Sequence, residues 1–217
     1  MRVLVCGGAG YIGSHMVQLL LEQGHQAVTL DNLSTGHADA VVGGPLLLGD
    51  ILSEEFLDEV FEGHGPFDMV MHFCAKSLVG ESVLKPQLYY ENNVVGTLNL
   101  LEAMRRHEHQ RLVFSSTAAT YGMPKSDPID ESHPCKPINP YGNTKLAVER
   151  ALQDYHAAYG IRSLSFRYFN ACGAHSESHI GERHDPETHL IPNIINSLLE
   201  AGKPLRVFGD DYPTEDG

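Results

Sequence analysis

The sequence predicts an α/β fold, a doubly wound parallel sheet, and three observations predict it. Short apolar, often β-branched runs alternate with longer amphipathic ones along the chain, the pattern of βαβ units. The first such run leads directly into a glycine loop and then a helix. Hydrophobic residues make up 42% and charged residues 20% of 217 residues, enough for one substantial core that needs no disulfide or metal to close it.

Taken in order, Arg2 to Cys6 reads as a strand, and Tyr11 to Gln23 as a helix closed by Gly24. Ala27 to Leu30 is a second strand, and Asp31 to Pro45 is too polar and glycine-broken to be regular. Leu46 to Leu48 is a short strand, after which Ser53 caps a helix carrying Phe56, Leu57, Val60 and Phe61. Asp68 to Phe73 is a central strand. Pro86 begins a long helix to about His107, with Leu88, Val95, Leu98, Leu101 and Met104 facing inward. Leu112 to Ser115 is the next strand, and a helix runs from Pro140 to Tyr159, ended by Gly160. Ile161 to Phe166 is a sixth strand. A histidine-rich loop from Ala174 to His189, a helix from Leu190 to Glu200 and a strand from Leu205 to Phe208 follow.

A formal net charge of −13 argues against nucleic-acid or anionic-membrane partners, since phosphates are repelled overall. The four cysteines, Cys6, Cys74, Cys135 and Cys172, form no CxxC pair. They read as reduced and mostly buried thiols, which suits a cytoplasmic protein. No signal-peptide pattern and no stretch of membrane-spanning length is expected.

Gly7, Gly10 and Gly13 lie between the first strand and the first helix. A tight turn there lets a pyrophosphate approach the backbone, and the helix N-terminus offers it free N–H groups. Asp31, ending the second strand, can accept hydrogen bonds from ribose hydroxyls and would repel a 2′-phosphate, which favours NAD over NADP. Farther along, Tyr141 and Lys145 are one helical turn apart and share a face. An ammonium beside a phenol favours phenolate and makes tyrosine a usable base. Ser115, Ser116 and Thr117 end a strand within reach of the same chemistry.

The segments GGAGYIGSH, LDNLSTGH, VGESVLKPQLYYENNVVGTLNLLEAM, FSSTAATYG, NPYGNTKLAVE, LSFRYFNACGAH and VFGDDYPTEDG resemble those of the UDP-glucose 4-epimerases among the extended short-chain dehydrogenases/reductases. The resemblance implies an NAD-binding Rossmann domain over residues 1–168. It implies the beginning of a UDP-sugar-binding domain, incomplete here, over residues 169–217. By it, Tyr141 is the catalytic base, Lys145 its partner and Thr117 the hydroxyl donor to the sugar. Cofactor contacts fall on Tyr11, Ile12, Asp31, Asn32, Asp50, Ile51, Phe73, Ala75, Asn92 and Phe169, and on Ser77, where some members carry lysine. Substrate contacts fall on Asn170, His189, Leu190 and Phe208. The implied reaction is transient oxidation: Tyr141 takes the 4-hydroxyl proton while C4 gives hydride to NAD⁺, and the ketosugar turns before hydride returns to its other face. A homodimer through the helices at Pro86 to His107 and Pro140 to Tyr159 is implied too. Because the resemblance stops short of the rest of the sugar-binding domain, weak or absent activity is expected.

A further departure, at Cys6, and several alternatives accompany this reading. Cys6 stands where threonine is common, and Ala118 and Ala119 stand where dehydratases of the same scaffold place an acid and a base. Their absence favours epimerisation over removal of water, while a pentose or N-acetylhexosamine substrate, or an inactive NAD-binding fragment, stays open. His175, His179, His184 and His189 are spaced loosely and no carboxylate or cysteine obviously completes a ligand set, so a solvated loop, without metal, is expected there.

Overall fold

The computed structural model describes residues 1–199, 204–207, 209 and 211. Six parallel strands, β1 (Arg2–Cys6), β2 (Gln26–Asp31), β3 (Leu46–Leu48), β4 (Met69–His72), β5 (Arg111–Thr117) and β6 (Arg162–Tyr168), form one sheet in the order β3-β2-β1-β4-β5-β6. This is the Rossmann order. The direction of winding reverses between β1 and β4, and that switch point opens a crevice at the carboxyl ends of the strands.

Strand alternation sorts the core into two layers. Leu4, Cys6, Leu30, Val70, Leu112 and Phe114 face one side. There they pack against α2 (Glu54–His64), α5 (Gly96–Arg106) and α6 (Pro140–Tyr159). Val3, Val5 and Ala27 face the other side, against Val17 and Leu20 of α1 (Tyr11–Glu22). The register Val113↔Leu164 and Ser115↔Phe166 puts Leu164 and Phe166 on the α1 side, where both are exposed. Parallel sheets ordinarily carry helices on both faces. Among the described residues, that of β6 does not.

Local signals set the helix ends where expected. Ser53 Oγ accepts from Phe56 N–H at the start of α2, and Asn139 Oδ1 accepts from Gly142 N–H ahead of Pro140 at the start of α6. Gly160 closes α6 at φ 74°.

Four expectations need correction. The segment from Pro86 is not one regular helix but α4 (Pro86–Tyr89), a π-helical stretch (Tyr90–Val95) and α5, preceded by an unforeseen α3 (Val79–Leu84). Val95 does not face inward; it is 47% exposed. The inward positions go instead to Asn93 and Thr97, polar residues that burial tolerates because each is hydrogen-bonded. Residues 204–207 form no strand, and Phe208 lies outside the described residues. Of the four free cysteines only Cys6 is buried; Cys74 and Cys135 are half-buried and Cys172 is exposed.

Candidate functional site

The crevice at the switch point is a cleft open to solvent. Gly7 and Gly10 form its floor, Asp31, Asn32, Asp50 and Ile51 one wall, and Phe73, Ala75 and Asn92 the opposite wall. All nine were expected to contact a cofactor. The sequence reading missed Ser34, Thr35 and Gly36, which follow Asp31 as a polar turn, and missed Cys74. Ser77 is exposed and off the cleft, while its neighbour Lys76 lines it, so the cation stands one residue earlier than the resemblance suggested.

The three loop glycines serve different needs. A Cβ on Gly7, at φ +81°, would lie 2.5 Å from the Cys74 nitrogen, and one on Gly13 would lie 2.1 Å from the Gly7 carbonyl oxygen. Those two are demanded by the fold itself. At Gly10 the nearest protein atom would be 3.4 Å away, so the missing side chain there leaves space open towards the cleft. Gly10 also begins α1 with no side-chain cap and no acidic residue in the first turn. The N–H groups of the first turn, on Tyr11, Ile12 and Gly13, have no intrahelical partner, and the helix dipole favours an anion. A diphosphate fits these residues.

Asp31 is held by the loop it faces. Its Oδ2 accepts from Ala9 N–H at 3.0 Å and its Oδ1 from Leu33 N–H at 2.8 Å, each oxygen keeping a lone pair for a further donor. Asn32 Nδ2 donates to Asp50 Oδ2 at 2.8 Å and so ties the ends of β2 and β3 together. On the opposite wall, Asn93 Oδ1 accepts from Lys76 N–H and Asn93 Nδ2 donates to Lys76 O, which fixes the segment after β4. Cys6 and Cys74 lie side by side below the loop. Their proximity pulls the Cys74 thiol down and leaves the Cys6 thiol raised.

Two strands beyond β1, Thr117 ends β5 and Tyr141 opens α6. The Thr117 hydroxyl accepts from Ala119 N–H at 3.1 Å on the side of β5 that faces the Tyr141 phenol. Burial pushes that phenol above its ordinary value, and the neighbouring Thr117 hydroxyl opposes the push. Lys145, one turn along, is 2% exposed; Nζ donates to Ser115 O at 2.7 Å and stands 4.7 Å from the centre of the Phe114 ring. Burial lowers Lys145 to about 8, against the charges of Cys74 and Glu149. The expected descent of the Tyr141 value is thus absent while Lys145 faces Ser115. A further turn on, Glu149 pairs with Arg167 of β6 through bonds of 3.0 and 2.6 Å and accepts from Ser116 Oγ. This buried pair had not been singled out; the i, i+4 spacing of Tyr141, Lys145 and Glu149 was its only signal.

The remaining expected residues fall outside the cleft. Tyr11 and Ile12 are half-buried in the first turn of α1, and Tyr11 Oη donates to Gly173 O at 2.7 Å. Phe169 is 61% exposed beside Tyr121, and Asn170, His189 and Leu190 are exposed in and after the segment that leaves β6.

A cleft of this kind, at the switch point of a parallel sheet with an open glycine at a helix N-terminus, defines a nucleotide-binding Rossmann protein. The chain belongs to the NAD dependent epimerase/dehydratase family, whose model matches residues 3–216. It is 53% identical over 217 residues to the UDP-glucose 4-epimerase of Halalkalibacterium halodurans, covering 100% of this chain and 65% of that protein. The crystal structure of UDP-glucose 4-epimerase from Brucella ovis in complex with NAD superposes with a TM-score of 0.96 at 51% identity, over 100% of this chain and 66% of that one. The enzyme from Bifidobacterium longum, in complex with NAD⁺ and UDP, gives a TM-score of 0.94 at 36% identity, over 100% and 68%. The chain thus spans just under two thirds of the length of the first two of these relatives. Among the described residues, no helix is long and apolar enough to cross a membrane.

Proposed function

We propose that this chain binds NAD across the cleft and carries the acid–base centre of a UDP-glucose 4-epimerase. The observation that supports this reading above the rest is the seating of the first turns of α6 against the carboxyl end of β5, where Lys145 Nζ donates to Ser115 O and Tyr141 lies one turn ahead, beside Thr117. NAD, when bound, supplies reversible hydride acceptance at C4 of the sugar. Gly10 and the first turn of α1 hold the diphosphate, Asp31 and Asp50 the adenosine end. Tyr141 accepts the 4-hydroxyl proton and later returns it. Thr117 aligns the same oxygen, and Lys145 supplies the charge that favours phenolate when it turns from Ser115. Phe169 is assigned to the nicotinamide end, and Asn170, His189, Leu190 and Phe208 to the UDP-sugar. Ala118 and Ala119, just past Thr117, provide no acid or base for dehydration.

Residues 1–168 form the cofactor domain in this reading, and residues 169–217 begin the sugar-binding part, in a cytoplasmic enzyme. The active form is a homodimer that pairs through α4, α5 and α6, supported by the exposed Tyr90 and Val95 on the π-helical stretch between α4 and α5. The test has two readouts. Denaturing the purified chain should release about one NAD per chain, and UDP-galactose supplied without added NAD should yield UDP-glucose at a rate below that of its longer relatives. Tyr141→Phe should keep the NAD and cut turnover by about 10²–10⁴-fold, the share usual for a positioned acid–base group. Unchanged turnover removes Tyr141 from the reaction. A chain that neither releases NAD nor binds it on titration ends the whole reading.

A further inference from the structure

The loop expected to be merely solvated gathers a ligand set that its histidine spacing did not reveal. Glu182, His184, Glu187 and His189 bring one ligand atom each within 4.8 Å of one another. The carboxylates thought to be missing are supplied from the same loop, where they alternate with His184 and His189. His175 and His179 stay outside; His175 instead meets Glu22 of α1 at 3.1 Å.

We propose that these four side chains form a binding site for one divalent transition-metal ion, zinc by preference. Three features support it. First, the separations suit a common centre. His184 Nδ1 lies 3.3 Å from Glu182 Oε1 and 3.9 Å from Glu187 Oε2, and His189 Nδ1 lies 3.5 Å from Glu187 Oε1. Ligands about 2.1 Å from a tetrahedral zinc stand about 3.4 Å apart. Second, Glu182 Oε1 and His184 Nδ1 are buried with no hydrogen-bond partner, although His184 Nδ1 and His189 Nδ1 both crowd the Glu182 oxygen. The Glu182 side chain is only 9% exposed. Lone pairs directed at one another without a proton between them repel, and a cation at their centre turns that repulsion into ligation. Third, the set is oriented from outside. Glu187 Oε1 accepts from the N–H groups of Thr188 and His189 at 2.8 Å each, which steadies the carboxylate. The Tyr11 ring stands edge-on to His184 with centroids 6.3 Å apart.

The ligand chemistry selects the ion. Two imidazoles with two carboxylates suit zinc better than calcium or magnesium, which favour all-oxygen shells. Bound there, the ion draws together the loop after β6 just ahead of α7 (Leu190–Leu199), beside Tyr11 at the N-terminus of α1.

The experiment uses the whole chain, stripped with a strong chelator and titrated with zinc against a chromophoric chelator, with bound zinc counted by elemental analysis after desalting. One tightly held zinc per chain is expected. His189→Ala and Glu182→Gln should each weaken binding at least tenfold, whereas His175→Ala should leave it unchanged. His189 is 53% exposed, so its loss does not threaten the fold, and circular dichroism checks that. Absence of stoichiometric zinc overturns the proposal and leaves a histidine–carboxylate cluster. Equal weakening by His175→Ala overturns it as well, as does undiminished binding in His189→Ala.

Discussion

A buried amine is costly to keep charged, and Lys145 shows how much of that cost the site accepts. Its folded value lies near 8, while the unfolded chain keeps the same proton up to about 10.4. Between those values the unfolded state holds more protons, so this residue's contribution to stability rises with pH across that window. Below pH 8 both states are charged and the full penalty applies. Lys145→Met, similar in reach but without charge, should therefore raise the Tm at pH 7 by about 2–4 °C, the shift expected of about 1 kcal/mol in a chain of this size. The advantage should shrink by pH 9.5, and epimerisation should be lost. Thermal denaturation at the two pH values checks it, and an advantage that grew with pH would contradict the assignment of burial as the cause. Residues like this are legible in sequence when the partners are a helical turn apart, as Tyr141 and Lys145 are. Cys6 and Cys74 are not legible as neighbours, because only the pairing of β1 with β4 brings them together.

At the scale of elements, α6 is the piece that must not move, since it carries Tyr141 and Lys145 against the end of β5. The Glu149–Arg167 pair does much of that holding, joining α6 to β6 and, through Ser116, to β5. Arg167 also lies 4.8 Å over the Tyr121 ring, and the Glu149 bond raises its value further. Glu149→Ala strands a mostly buried guanidinium and should cost about 2–3 kcal/mol, towards the lower side for a broken buried pair because Arg167 keeps some water. Glu149→Gln, which keeps the Ser116 contact, should cost less. Urea unfolding measures both; a neutral Glu149→Ala would mean that α6 is held by its apolar face alone. The limits of this helix were readable, because Asn139, Pro140 and Gly160 act on their own backbone. The burial of Asn93 and Thr97 was not, since polar residues turn inward only when distant partners such as His72, Thr144 and the Lys76 backbone are there to receive them.

The sheet as a whole is covered unevenly, and two exposed apolar areas result. One, Tyr90 and Val95, lies on the helical side. The other, Leu164 and Phe166, lies on the α1 side of β6, which α1 does not reach. The strand order was implicit in the alternation of elements, but which face would stay bare was not, because that depends on how far each helix extends across the sheet. Exposed contiguous apolar surface marks either an interface or a place that dyes and aggregation find. The two areas should answer to different measurements. Sedimentation should find a dimer, and Tyr90→Ser combined with Val95→Glu should give a monomer with the dye fluorescence of 1-anilinonaphthalene-8-sulfonate unchanged or higher. Leu164→Ser combined with Phe166→Ser should lower that fluorescence and leave the dimer intact. If the β6 pair instead dissolved the dimer, the chain would pair through its bare sheet face, and the helical interface would have to be given up.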